Sequence, residues 1–343
     1  MVLTLNAVNL IQAATISVAL LGCVLFWQRS AFRGVVWLLA YIAFASAVNI
    51  AEESGITKDI YLLSPALLLI SGPAFFVVAK SLTGRMVSTL DSIHFVPALV
   101  ALPFTANVQT IILLGTFSRV LYSIYTIKVL FEYKRSLEQE RSDADEFSFT
   151  WLIWVVVTIT AFTAIDLVRL NIQQLLAVDL NLLGQGINNL IWLLLVAYVI
   201  VKLHQRVLSP VPQIDSTASL ADAAESSEDY RAIFAEVDQQ IKVNAWFRRA
   251  RLTLNELSEL TGFQARDISR AINLVGKCSF NDYINGLRVG LVCEHIRQST
   301  DQTITNTMLD SGFSSKATFN KAFKQVMGMT PSEYKAMQQG TGS

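Results

Sequence analysis

Apolar runs close to twenty residues long recur through the first two thirds of the chain and then stop. A helix needs about 20 such residues to cross a bilayer. On that measure the pattern predicts seven spans, at residues 8–27, 34–50, 61–79, 92–105, 108–131, 147–165 and 182–201. The first, third, sixth and seventh are the clearest, each free of charge for nearly its whole length. The fourth is short and carries Pro97 and Pro103. The break at 103–108 is the local reason to divide 92–131 into two spans; without it the count is six.

After residue 229 the period changes. Ile233, Phe234, Val237 and Ile241 fall on one face of a helix. Thr253 reads as the N-cap of the next helix, with Glu256 three residues on to complete a capping box. Leu254, Leu257 and Leu260 form its apolar stripe, Gly262 ends it, and a second helix begins near Arg266. A long helix is expected over 279–297, and then the pattern returns. Asp310, Ser311 and Gly312 make a turn, and Ser315 caps a helix that turns Phe319 and Phe323 inward and Lys316, Lys321 and Lys324 outward. Helix, short Gly-containing turn, helix is the helix-turn-helix pattern. Two such units on one connector can address two major-groove segments on one face of a duplex.

The expected fold class is therefore all-α: a polytopic helical membrane domain of about seven spans, followed by a cytoplasmic double helix-turn-helix domain. The expected domains are a membrane sensor domain at 1–208, a linker at 209–229 and a DNA-binding domain at 230–343.

Composition supports that division. Of 343 residues, 52% are hydrophobic and 16% charged, against about 25% charged in ordinary soluble domains. The deficit lies in the apolar part. Formal net charge is zero, but residues 230–343 hold 14 Lys/Arg against 10 Asp/Glu, a net +4. Residues 209–229 contain two prolines, many small residues, five acids and no base, the composition of a linker. A flexible chain of that length spans roughly 25 Å.

Loop charge predicts orientation. With the odd-numbered connections and the C-terminal end in the cytoplasm, that side holds Arg29, Arg33, Lys80, Arg85, Lys134, Arg135, Arg141, Lys202 and Arg206. The other side holds Lys58 and Arg169. The N-terminus is then outside and the tail cytoplasmic, in a bacterial inner membrane. Trp27, Trp37, Trp151 and Trp154 fall toward cytoplasmic span ends, as an interfacial belt requires. No Lys or Arg precedes Arg29, so the first span reads as uncleaved rather than as a signal peptide.

Ionisable residues inside a bilayer are costly and mark function. Arg119 sits near the middle of the fifth candidate span. Asp166 and Arg169, three apart at the end of the sixth, share a face. Gln185, Asn188 and Asn189 lie in the outer half of the seventh, and Asn49, Glu52 and Glu53 end the second. These predict a polar ligand pocket with Arg119 as its floor or as the counter-ion of Asp166. The ligand itself, a small molecule or membrane signal, is not legible.

Three cysteines and three histidines stand in no metal-ligand or disulfide spacing. There is no nucleophile elbow, Gly-rich phosphate loop or metal-spaced His/Glu pair. The chain does not read as an enzyme, and no cofactor is implied.

Residues from about 230 to 335 resemble the DNA-binding domain of the AraC/XylS family. The stretch GFSSKATFNKAFKQVMGMTPSEYK, residues 312–335, follows that family's C-terminal signature at Gly312, Phe313, Ser315, Phe319, Phe323, Lys324, Gly328, Thr330, Pro331, Tyr334 and Lys335. The first unit matches at Ile268, Ser269 and Arg270. It departs at Ile272 and Asn273, where the family has Phe-Lys, and at Lys277, where it has Gly. In the second unit Thr307 and Met308 replace Ile-Ala. The whole chain is similar to a branch of the family in which a multi-span membrane domain comes first.

The resemblance implies base-facing positions at Arg266, Ser269 and Arg270 in the first unit, and at Lys316, Ala317, Thr318 and Lys321 in the second. Arg can grip guanine, and Thr and Ala can pack on a thymine methyl. Gln264, Asn320 and Lys324 are expected on phosphates. The implied partners are double-stranded promoter DNA, the lipid bilayer, RNA polymerase and a second copy of the chain. The alternative is a receptor-like or transporter-like membrane protein whose tail has become a protein-interaction module.

Overall fold

The structure, a computed structural model, describes residues 6–57, 61–172, 177–207, 227–298 and 303–340. Every regular element among them is helical. The chain divides into two compact units. Met1–Phe131 and Phe149–Gln213 form the first; Glu132–Ser148 and Ile214–Ser343 form the second. The segment between the fifth and sixth candidate spans thus belongs with the C-terminal helices.

The first unit is built on α1 (Ala7–Phe26), α2 (Arg33–Glu53), α3 (Ser64–Leu82), α4 (Val96–Ala101), α5 (Val108–Glu140, whose last turns pass into the second unit), α7 (Thr150–Ile172) and α8 (Val178–Val207). Six of these, all but α4, are long and apolar enough to cross a membrane. The fourth candidate span differs from expectation. It is a 3-10 stretch Thr89–Phe95, then α4, then a 3-10 turn Leu102–Phe104. Pro97 and Pro103 sit in the first turns of the second and third pieces. A proline has no N–H to donate, so it starts a helix more readily than it continues one.

Helix ends in this unit are tied by side chains. Asn6 and Asn9 exchange reciprocal 3.0 Å bonds at the start of α1. Glu52 accepts from the backbone N–H groups of Leu63 and Ser64, at 2.5 and 2.9 Å, and so caps α3 from α2. Glu52 is therefore a structural cap rather than part of a ligand pocket. Large apolar side chains lie on the outside, Trp27, Trp37, Phe117 and Trp154 among them. That is the reverse of a water-soluble surface.

The second unit contains α6 (Ala144–Phe147), α9 (Ser227–Val243), α10 (Leu254–Thr261), α11 (Ala265–Ala271), α12 (Phe280–Arg297), α13 (Ile304–Asp310), α14 (Lys316–Met327) and α15 (Pro331–Gly340). The linker reading at 209–229 falls largely outside the described residues; its last three residues open α9.

Two cores stand along α12. Phe280 and Ile284 pack with Val237, Ile241, Leu252, Leu257 and Ile268. Val289, Val292 and Cys293, further along the same helix, pack with Met308, Phe313, Phe319, Phe323 and Tyr334. Met308, where the family pattern has alanine, is accommodated in that second core. Between the cores lies Arg288, 1% exposed. Its Nε donates to Phe247 O at 2.7 Å, Nη1 to Asn285 Oδ1 at 3.0 Å, and Nη2 to Arg249 O at 2.8 Å and Ser142 Oγ at 3.2 Å. Burial lowers its pKa to about 10, opposed by the Asp143 carboxylate.

Candidate functional site

In the second unit, α10–α11 and α13–α14 each form a helix pair with a tight turn. Thr253 Oγ1 accepts from Glu256 N at 3.2 Å, as an N-cap should. The Glu256 side chain does not complete a capping box; it pairs with Arg249 at 2.8 Å. Ser315 caps α14 by accepting from Thr318 N at 3.2 Å. Gly312 makes the turn before it, at φ 93°. A Cβ there would stand 2.5 Å from the Arg248 carbonyl oxygen. Arg248 in turn donates through Nε to Asp310 O at 3.0 Å.

This turn aims α14. Lys316, Ala317, Asn320, Lys321 and Lys324 are all exposed. The three lysines and Asn320 line one groove together with Thr305, Thr330 and Ser332. Thr305 and Ser332 did not stand out in the sequence; Thr330 did, as part of the signature. Thr330 caps α15, its Oγ1 accepting from Glu333 N at 3.3 Å. The groove offers what a nucleic-acid backbone needs, cations and hydroxyls along one edge.

Thr318 is placed differently from its expected role. It is 4% exposed, and its Oγ1 lies 3.0 Å from Ser315 Oγ. It belongs to the cap rather than to the open face. On α11, Arg266 is exposed and Arg270 Nη1 donates to the Tyr230 hydroxyl at 3.2 Å. Ser269 Oγ accepts from Asn273 Nδ2 at 3.4 Å, and the same amide donates to Gln139 Oε1 at 2.8 Å.

An acidic stretch lies against these faces. Ser142 and Asp143 are 0% and 1% exposed. Ser142 N donates to Leu252 O at 3.1 Å. Ser142 O accepts from the amides of Asn281 and Asn285, at 2.9 and 3.1 Å. Arg141 and Thr253 form an antiparallel bridge. Beyond this anchor, Asp145 Oδ1 lies 2.6 Å from Lys321 Nζ. Glu146 Oε1 accepts from Ser314 Oγ at 2.6 Å.

The first unit holds a cavity of about 280 Å3. All six residues expected at a ligand pocket line it: Arg119, Asp166, Arg169, Gln185, Asn188 and Asn189. Asn49 and Glu53 join them, as do Tyr41, Ser71, Thr163 and Trp192, which apolar stretches of sequence had concealed. Arg119, 7% exposed, donates to Ser71 Oγ from Nε and Nη2, at 3.0 and 2.7 Å, and to Thr163 Oγ1 from Nη1 at 2.6 Å. Its guanidinium lies 5.7 Å from the Trp192 ring centre.

Gly72 allows the approach of α5 to α3; a Cβ there would be 3.1 Å from Arg119 Cα. Asp166 pairs directly with Arg169 at 2.7 Å, and its carboxylate also attracts the Arg119 guanidinium without touching it. Arg169 also donates to Asn181. Glu53 accepts from Asn9 at 2.7 Å, from Gln12 at 3.2 Å and from Gln185.

Residues 257–337 match the family described as helix-turn-helix domain. An uncharacterized HTH-type transcriptional regulator of Staphylococcus aureus (strain COL) is 34% identical over 87 residues, 24% of this chain and 11% of the relative. A relative of the same description from Staphylococcus aureus (strain MSSA476) gives the same identity and coverage. The chain spans about a tenth of the length of these curated relatives, 11%. No solved structure matches. The family match falls on the region of α10–α15.

Proposed function

We propose that this chain is a membrane-embedded one-component transcription regulator of the AraC/XylS type. The first unit, within residues 1–208, senses a signal in the bacterial inner membrane. Residues 230–343 read promoter DNA in the cytoplasm through two helix-turn-helix units. The observation that carries this reading is the sharing of α12 by two helix-turn-helix cores. A single rigid helix sets the separation of the two recognition helices, which is what two successive major-groove contacts need.

In this reading Arg266, Ser269, Arg270, Lys316, Ala317 and Lys321 face bases. Lys324, Asn320 and the Thr330 and Ser332 hydroxyls face phosphates. Thr318 supports the cap. A second copy of the chain and RNA polymerase complete the promoter complex.

The lipid bilayer surrounds the six long helices, whose outward apolar side chains suit it. Loop charge favours an outside N-terminus, which needs an odd number of crossings. Thr89–Phe104 supplies the seventh. At about 2.0 Å per residue in its 3-10 pieces and about 1.5 Å in its α-helical piece, it would reach roughly 29 Å if its pieces were collinear. That is close to the ~30 Å hydrocarbon thickness.

Genome-wide occupancy of the full chain in its own membrane tests the function, run beside an Arg270→Ala/Lys321→Ala double variant. A few sharp sites, lost in the variant, are the expected outcome. No reproducible site under varied growth conditions would instead make the tail a protein-interaction module.

A further inference from the structure

We infer that the cavity around Arg119 binds a small organic oxyanion, a carboxylate in the minimal case, carrying a hydroxyl or N–H group beside an apolar body. This names the ligand class of the proposed sensing site and rests on that reading only for its regulatory meaning.

The argument starts from charge. Arg119 is almost fully buried, and burying a guanidinium without a counter-ion costs several kcal/mol. Its partners on the protein are two hydroxyls and one aromatic ring, all neutral. Among the described residues no carboxylate forms an ion pair with it. The nearby acids make their direct contacts elsewhere: Asp166, which attracts Arg119 only at a distance, pairs with Arg169, and Glu53 accepts from three side-chain amides. A guanidinium has five N–H donors in a planar fork, and three hydrogen bonds leave part of the fork open toward the cavity.

A second observation comes from another helix. Asn188 Oδ1, on the cavity wall, is buried without a hydrogen-bond partner. A buried acceptor left unmade costs about 1–3 kcal/mol, which a ligand O–H or N–H would recover. Ile42, Leu68, Phe75 and Ile112 supply the apolar wall. About 280 Å3 lies just under the range of drug-sized ligand sites, roughly 300–1,000 Å3, which suits a small ligand.

The test is binding to the full chain in lipid nanodiscs. The probes are a panel of C3–C8 hydroxy-monocarboxylates and their neutral amides, read by calorimetry and by Trp fluorescence. At least one acid should bind saturably, with its amide at least tenfold weaker. Asn188→Ala should weaken that acid severalfold, and Arg119→Met should abolish its binding. No binding by any acid overturns the inference, as do equal affinities for acid and amide. The acid–amide comparison uses the native chain, so it stands even where Arg119→Met fails to fold. Promoter occupancy is measured separately. Binding without a change in occupancy would keep the anion site and remove its sensing role.

A different observation carries a second inference: we propose that residues 141–148 compete with DNA for the second recognition helix. Ser142 is fastened by four hydrogen bonds. That anchor presents Asp145 to Lys321 and Glu146 to Ser314. One carboxylate engages Lys321, a proposed base-facing group, and the other holds Ser314 just before α14, so a duplex reaching this helix would have to displace both. The test is the Asp145→Asn/Glu146→Gln variant of the full chain in nanodiscs. Its retention on heparin and its affinity for duplex DNA are compared with the native chain. DNA affinity should rise threefold to tenfold, with elution from heparin at higher salt. Unchanged or weaker retention on heparin overturns the proposal. Raised heparin retention with no DNA binding in either chain would strike the DNA-reading proposal instead.

Discussion

Lys321 Nζ and Asp145 Oδ1 lie 2.6 Å apart although 176 residues separate them in the chain. The lysine projects from α14, the carboxylate from the segment that joins α5 to α7. Half of the lysine side chain is still exposed, so the pair is worth at most about 1 kcal/mol, and less in salt. It marks Lys321 as a group that can change partners.

Removing groups from the two recognition helices should separate reading from holding. Arg270→Ala or Lys321→Ala is expected to cost about 1–3 kcal/mol at one base position and to relax specificity there. Lys324→Ala should weaken binding to all sequences alike and lower the salt slope by about one. Titration of operator and scrambled duplexes at several salt concentrations distinguishes them.

Gly312→Ala should disrupt the second unit's turn. The residue sits at φ 93° and a Cβ would meet the Arg248 carbonyl oxygen at 2.5 Å. Alanine at a positive-φ site with no room destabilises by more than ~1 kcal/mol, and the clash with backbone adds to that. Hydrogen exchange should show protection lost across α13 and α14 while α1 to α3 keep theirs.

Lys277→Gly is expected to stabilise. Lys277 takes left-handed backbone angles, φ 53° and ψ 31°, after the π-turn Ile272–Gly276. That conformation costs an L-residue about 1–2 kcal/mol, part of which glycine's greater unfolded freedom offsets. A gain of about 0.5–1 kcal/mol in chemical denaturation of the second unit is the expected size. A loss would mean that the Lys277 side chain holds the turn.

Arg288→Ala should be among the most damaging single changes. It strands the carbonyls of Phe247 and Arg249 together with Asn285 Oδ1 and Ser142 Oγ. At about 1–3 kcal/mol for each acceptor left buried and unpaired, the loss should exceed ~3 kcal/mol. Both helix-turn-helix cores should loosen together by hydrogen exchange, because α12 serves both.

Periodicity made the helices legible, and charge rarity made the cavity legible. Arg119 or Asn188 stands out in an apolar run because little else there is polar. Ser71 and Thr163 did not, since hydroxyls are ordinary in such helices and only their distance to Arg119 gives them a role. The Asp166 partner was ambiguous because helical spacing and spatial proximity offered different cations. The short Thr89–Phe104 helices were hinted at by Pro97 and Pro103, but apolarity alone does not fix helix length. Thr318 misled because i,i+3 capping by Ser315 and an outward recognition position compete for the same side chain. The docking of Ser142 was hidden entirely, since a short polar loop carries no periodic signal of what it packs against.

That docked loop makes competition an intramolecular matter. Phe131 and Phe149 belong to the first unit, while Glu132–Ser148 between them belongs to the second. The acidic segment and its lysine are parts of one covalent chain, so they meet at an effective concentration on the order of mM. A synthetic peptide copying residues 139–148 would have to reach that range to displace the native segment. DNA, offering many phosphates at once, would compete by valence rather than by a better single contact.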